Sequence, residues 1–277
     1  MDSQGGTLDG RTAFITGAAR GMGRAHALKL ASQGADIVAM DICAEFESTD
    51  YPGSTPDDLA TTVKLVEDLG RRILARQADV RDADAVAAVV ADGVAEFGGL
   101  DIVIANAGVI RLTDAEDRAR VFRDVVDVNL IGVWNTVDAA IPALIAGGRG
   151  GSIVLASSTA GIKASNTDRP GLQAYAASKR ALVALMQGWA AQLAPHSIRV
   201  NTIHPSGVAT DMIINDTTIA LSASGDPWLG TQQNALPIAL LAPEDIATAV
   251  AWLVSHDARF ITGTSWPLDA GFSLRSH

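Results

Sequence analysis

Only one cysteine, Cys43, occurs in the 277 residues, which excludes an intramolecular disulfide or a cysteine-built metal cluster and fits a reducing cytoplasm. No metal ligand set is assigned. Positive charge is scarce: Lys and Arg number 21 against 31 Asp and Glu, a formal net charge of −10. With no basic run either, the chain is not expected to bind nucleic acid, which needs clustered cations. No apolar run approaches about 18 residues, so no membrane span is expected. Residues 1–10 lack the basic and hydrophobic regions of a secretion signal, and 1–9 are read as a tail. Without internal repeats or a Ser/Gly- or Pro-rich linker, residues 1–277 are expected to form one domain.

Apolar residues, at 48% of the chain, are ample for a core. Short β-branched runs alternate with longer Ala-rich stretches, the pattern of stacked βαβ units. Strands are expected at 12–16, 37–40, 73–78, 102–105, 152–156, 199–203 and 265–268. Several are apolar throughout, as strands buried on both faces should be. Helices are expected at 23–33, 58–70, 82–97, 114–146, 174–193 and 243–255. Thr113-Asp114-Ala115-Glu116 has the capping-box pattern, and Pro243 suits a first helical turn. The fold class is therefore α/β: a single-domain Rossmann fold, a doubly wound seven-stranded parallel sheet with helices on both faces. Two stretches break the rhythm. One is an extra acidic loop at 43–57; the other, at 211–241, mixes apolar residues with Gly and Pro and is read as a substrate lid.

The first strand runs into Thr16-Gly17-Ala18-Ala19-Arg20-Gly21-Met22-Gly23. Gly17 permits a tight turn, Gly21 and Gly23 allow close approach, and the helix start at Met22 offers free N–H groups to a pyrophosphate. Arg20 lies in the same turn. Asp41, with Ile42 after it, ends the second strand where an acid accepts hydrogen bonds from an adenosine ribose. Arg20 would welcome the extra phosphate of NADP, but repulsion from Asp41 favours NAD. Asp79 and Val80 after the third strand are candidates for the adenine. Asn106, Ala107 and Gly108 after the fourth close the turn against the cofactor.

Tyr175 and Lys179, being i and i+4, share a helical face. A tyrosine ionises near pH 10, too high for a base at neutrality. An adjacent ammonium and an oxidised nicotinamide are expected to lower that value.

With these motifs the chain resembles the short-chain dehydrogenase/reductase family from Leu8 onward. The resemblance rests on Gly17-x-x-x-Gly21-x-Gly23, Asn106-Ala107-Gly108, Asn129, Ser158, Tyr175-x-x-x-Lys179 and Pro205 with Thr210. It implies that Ser158 orients the substrate oxygen, Tyr175 transfers the proton, Lys179 binds the nicotinamide ribose, and Asn129 holds a relay water. Pro205, Val208 and Thr210 are then expected at the nicotinamide end. Tyr175 follows Ser158 by 17 positions, a few more than usual in the family, which places an insertion around 166–169. His204 is read as a packed residue rather than a base.

His204-Pro205-Ser206-Gly207, Gly23-Arg24-Ala25-His26 and the acidic loop together resemble the mycofactocin-associated, carveol-dehydrogenase-like branch. That resemblance implies tightly held, non-exchanging NAD, an external redox acceptor and, from the wider family, a homotetramer built on the two long helices. Val109, Ile110, Thr159, Ile162, Met212 and Trp228 are expected to line an apolar pocket for a terpenoid-like secondary alcohol or ketone, with Arg111 and Lys163 the nearest charges. The alternatives are a 3-oxoacyl-carrier-protein reductase, disfavoured by Asp41 and the net charge, and a non-catalytic NAD-binding sensor, which would not need the proton relay.

Overall fold

The structure, a computed structural model, describes residues 6–164 and 166–275. Residues 1–5 of the expected tail lie outside it. Seven strands form one sheet: β1 (Thr12–Thr16), β2 (Asp36–Asp41), β3 (Ile73–Gln77), β4 (Ile102–Ala105), β5 (Gly151–Ala156), β6 (Ile198–Pro205) and β7 (Ser265–Leu268). All neighbours pair in parallel, in the order β3-β2-β1-β4-β5-β6-β7. The order reverses between β1 and β4, and a crevice opens there at the strands' carboxyl ends.

Helices on both faces explain the uninterrupted apolar strands. Every residue of β1, β2 and β4 is buried, whereas edge strand β3 is half-exposed and ends in Arg76 and Gln77. Alternate side chains feed two cores. Ile15, Ile37 and Ile104 pack on one face with Leu30 of α1 (Gly21–Ser32) and Val250 of α9 (Pro243–Val254). Phe14, Val38 and Val103 pack on the other with Val90 of α3 (Ala83–Phe97), Val137 of α5 (Gly132–Gly147) and Met186 of α6 (Pro170–Leu193). Each buried side chain of this size contributes about 1.5–3 kcal/mol.

The expected helix at 114–146 starts later and is broken in register. α4 (Arg118–Val126) is capped by Asp117, whose carboxylate accepts from the Arg120 N–H, and a π-helical turn, Asp127–Ile131, leads into α5. The capping box at Thr113 does not form, because Asp50 takes the Leu112 and Thr113 N–H groups at 3.0 and 2.7 Å. The box occurs instead at Thr55–Asp58, opening α2 (Pro56–Asp68). α6 begins at Pro170, four residues before the expected start. The stretch Arg118–Gly147 is long and apolar enough to cross a membrane by length and composition, with 39% of its apolar window buried. Val121, Val125, Val133, Val137 and Leu144 face the protein, as in a core helix.

The acidic connection 43–57 folds back over the strand ends. Segment 211–241 contains two short helices, α7 (Asp216–Ala223) and α8 (Pro227–Gly230).

Candidate active site

The glycine turn is shaped by close contacts. Gly17 has φ +68°, and a Cβ there would lie 2.9 Å from the Ala107 Cα. A Cβ on Gly23 would stand 1.9 Å from the Gly17 carbonyl oxygen, so Gly23 packs α1 under the turn rather than facing the cleft. Asn106 Nδ2 donates to the Thr16 and Gly17 carbonyls at 3.0 and 3.3 Å, locking the β4 turn to the β1 turn. No side chain caps the start of α1, and its first turn carries no acid. Its N–H groups and positive dipole end are available to an anion.

A cleft runs from this turn past Asp41, Ile42, Asp79, Val80, Asn106, Ala107 and Gly108, with Arg20, Gly21 and Met22 on its wall. The expected adenosine-side residues thus come together. Three of the expected cofactor contacts are already engaged within the protein. Asp41, buried, accepts from Ala19 N–H at 2.9 Å, Cys43 N–H at 3.1 Å and the Ser54 hydroxyl at 2.5 Å. Asp79 is gripped by Arg81: burial disfavours its ionised form, but the Arg81 hydrogen bonds outweigh this and hold the carboxyl below its ordinary value. Arg20 pairs with Asp211 at 3.0 Å and donates to the Pro52 carbonyl.

The acidic connection supplies residues that the sequence reading missed. Ala44, Phe46, Thr49, Tyr51, Gly53 and Ser54 all line the cleft. The Tyr51 hydroxyl accepts the Ile110 N–H at 3.3 Å, and its ring joins an apolar cluster with Tyr175, Leu172, Met212 and Trp228. Phe46 and Tyr51 are aromatic interruptions in an acidic stretch, the one sequence signal that it packs.

The cleft meets a second cavity of ≈ 470 Å³, and Met22, Thr210 and Met212 line both. Ser158 and Tyr175 stand on the cavity wall with Ile110, Thr159, Met212 and Trp228, as expected, and Pro205 and Val208 line the same space. Ile162 does not. The turn Thr159–Gly161 carries it off the cavity wall and leaves Lys163 and Ala164 there instead. Arg111 is also absent from the lining; its guanidinium donates to the Asp114 carbonyl.

Burial raises the Tyr175 phenol above its ordinary value, and the hydrogen bond with Ser158 offsets part of this. The expected lowering rests on Lys179 together with an oxidised nicotinamide; in the protein alone the net direction is upward. The Lys179 Nζ lies 5.5 Å from the Tyr175 ring centroid and donates at 2.6 Å to the Ala156 carbonyl. Burial lowers Lys179 itself to about 8. Asn129 is fully buried, and its side chain bridges both Val109 backbone groups at 2.8 and 2.7 Å, in the π-helical turn. A Cβ on Gly108 would come within 3.1 Å of Asn129 Oδ1 and 3.3 Å of Lys179 Nζ, so both groups sit directly behind the cleft.

His204 is a packed residue, as expected. Its Nδ1 lies 2.8 Å from the Ser158 carbonyl, which can only accept, so Nδ1 carries the proton and Nε2 accepts from Thr202 at 2.9 Å. Burial lowers its pKa and keeps the ring neutral.

A family model described as short chain dehydrogenase matches residues 11–218. An uncharacterized oxidoreductase of Mycobacterium tuberculosis is 53% identical over 96% of this chain and 97% of its own length. The (−)-trans-carveol dehydrogenase of Rhodococcus erythropolis is 43% identical over 97% and 99%. A crystal structure of carveol dehydrogenase from Mycobacterium avium in complex with NAD superposes with a TM-score of 0.90, at 45% identity, covering 98% of this chain and 100% of that one.

Proposed function

Because this chain belongs to the short chain dehydrogenase family, we propose that it interconverts an apolar secondary alcohol and its ketone, with NAD as the hydride carrier and Tyr175 as general acid–base. The carrying observation is the placement of Ser158 and Tyr175 on the wall of a mostly apolar cavity that shares Met22, Thr210 and Met212 with the cleft from the glycine turn. The names of the relatives, carveol dehydrogenases among them, support the substrate class.

The residues present fit NAD. A Cβ at Gly17 would crowd Ala107, α1 starts uncapped, and Asp41 stands on the cleft wall. Gly17, Arg20, Gly21 and Met22 would hold the pyrophosphate, Asp41 the adenosine ribose, and Thr210 the nicotinamide end. Bound there, NAD supplies the acceptor or donor of hydride. In the oxidative direction Ser158 orients the alcohol oxygen, and Tyr175 takes the hydroxyl proton as the C–H bond breaks. The phenol starts from a raised pKa, so its activation falls to the positive charge of the oxidised ring and to the hydrogen bond from Ser158. Lys179 holds the ribose and Asn129 the outgoing proton path.

The same reading gives the connection 43–57 the role of retaining NAD through turnover, with an external redox acceptor restoring it, and gives 211–241 the role of a lid. Asp50 and Tyr51, anchored on the Ile110–Thr113 backbone, support the first. It also includes a homotetramer in the cytoplasm: Phe122, Ile131, Trp134 and Ile145 leave exposed apolar side chains along α4, the π-helical turn and α5.

Tyr175→Phe tests the reading. We expect a fall in kcat of about 10²–10⁴-fold, the usual worth of general acid–base help, with NAD content by mass spectrometry unchanged. Turnover at the wild-type rate would remove the mechanism.

A further inference from the structure

The cavity beyond Ser158 and Tyr175 is apolar along most of its wall, through Ile110, Leu172, Met212, Trp228 and Phe272. One feature breaks that pattern. Lys163 is the only cation lining it among the described residues, and no Asp or Glu lines it. Its Nζ donates to the Arg275 carbonyl at 2.7 Å, lies 3.4 Å from the Phe272 carbonyl, and sits 4.7 Å over the Phe272 ring. All these partners are neutral. Of the other cations near the cavity, Arg169 pairs with Asp226 and Arg20 with Asp211, while Arg275 donates to the neutral Gln233 side chain and Asn234 carbonyl. In a chain with ten more acids than bases, Lys163 is a half-buried ammonium with no ion pair among the described residues, and the one charged side chain among them on this cavity's wall.

We infer that the substrate carries an anionic group, a carboxylate by preference, on an otherwise apolar body, and that Lys163 receives it at the cavity mouth while Ser158 and Tyr175 hold the reacting oxygen. This rests on the activity proposed above and sharpens its substrate class. The position suits an anion energetically. Near Arg275, which is exposed, a carboxylate keeps part of its hydration, while the apolar wall takes up the hydrocarbon. An ammonium is a compact point charge with three donors, so one carboxylate oxygen can bind while the tether to the C-terminal turn Phe272–Leu274 persists.

The test uses the full chain with NAD and two non-reacting probes of equal shape, cyclohexanecarboxylate and cyclohexanecarboxamide, with Kd read by calorimetry. The carboxylate is expected to bind at least tenfold more tightly than the amide, ~1.4 kcal/mol. Lys163→Gln should bring the ratio within twofold of one, and Lys163→Arg should keep most of the preference. Equal binding by the wild type, or a ratio that Lys163→Gln leaves intact while both affinities fall together, overturns the inference and reduces Lys163 to a tether. The binding ratio decides this point whether or not any alcohol is oxidised. Absence of turnover on every alcohol tried, with NAD bound, removes the proposed activity instead.

Discussion

Arg169 and Asp226, 57 residues apart in the chain, form a part-buried ion pair that fastens the helix carrying Tyr175 to the segment carrying Trp228. Arg169 immediately precedes α6 and also donates to the Leu112 carbonyl at 2.9 Å. Asp226 caps α8 through the Leu229 N–H. The segment between Ser158 and Tyr175 thus supplies a cation to the segment that carries Trp228. Removing one partner strands the other. Arg169→Met should cost about 1–3 kcal/mol, the penalty of leaving the Asp226 carboxylate without its partner, and raise KM several-fold as Trp228 loses its support. Urea denaturation and steady-state kinetics check this, and Arg169→Met with Asp226→Leu should recover most of the stability. The hydrogen bond from Arg169 holds the Asp226 carboxyl below its ordinary 3.8. The pair's contribution is therefore complete above pH 3.8 and fades as acid carries the solution through the lowered value.

Lys179 should show a conflict between stability and use. Burial lowers it from 10.5 to about 8, so the folded state disfavours the ammonium. The resulting penalty is full below pH 8 and is relieved as pH rises from 8 toward 10.5. Lys179→Met should accordingly melt higher than the wild type at pH 7, by roughly 2–4 °C per kcal/mol recovered. The difference should shrink toward pH 10, and activity should be lost at every pH. A lower melting point at pH 7 would mean that the bond to the Ala156 carbonyl outweighs desolvation.

Asp41 should set the choice of nucleotide. A second negative charge about 4 Å away costs roughly 4 kcal/mol at an effective dielectric near 20. Asp41→Ser should cut the preference for NAD over NADP at least tenfold. It should also destabilise the fold by about 1–2 kcal/mol, because the Ala19 and Cys43 N–H groups lose their acceptor. Fluorescence titration with both nucleotides and a thermal melt separate the two effects.

The strands and the glycine turn were legible because their signals are local. Apolar runs mark two-sided burial, and Gly17, Gly21 and Gly23 sit in one strand–turn–helix segment, although the atoms that crowd Gly17 and Gly21 come from Ala107 and Thr210, far along the chain. Tyr175 with Lys179 was legible for the same reason, as one turn of one helix. What the sequence concealed lies in long-range pairs. Asp50 displaced the capping box at Thr113 from 63 residues away, and Tyr51 reaches Ile110 across 59. Local pattern reading cannot see which distant acid will claim an N–H group. Ile162 failed differently: a short 3₁₀ turn shifted the register by which side chains enter the cavity. The upward pull of burial on Tyr175 was hidden because burial depends on the whole fold, whereas the neighbouring Lys179 is written in the helix.

The Thr217 hydroxyl donates at 2.6 Å to the Asp50 carbonyl, and Arg20 reaches both Asp211 and Pro52. The wall over the nucleotide cleft and the wall over the alcohol cavity therefore share a seam. A visitor that enters by prising α7 outward unpicks the stitching on the other side as well, so traffic through one doorway is felt at its neighbour.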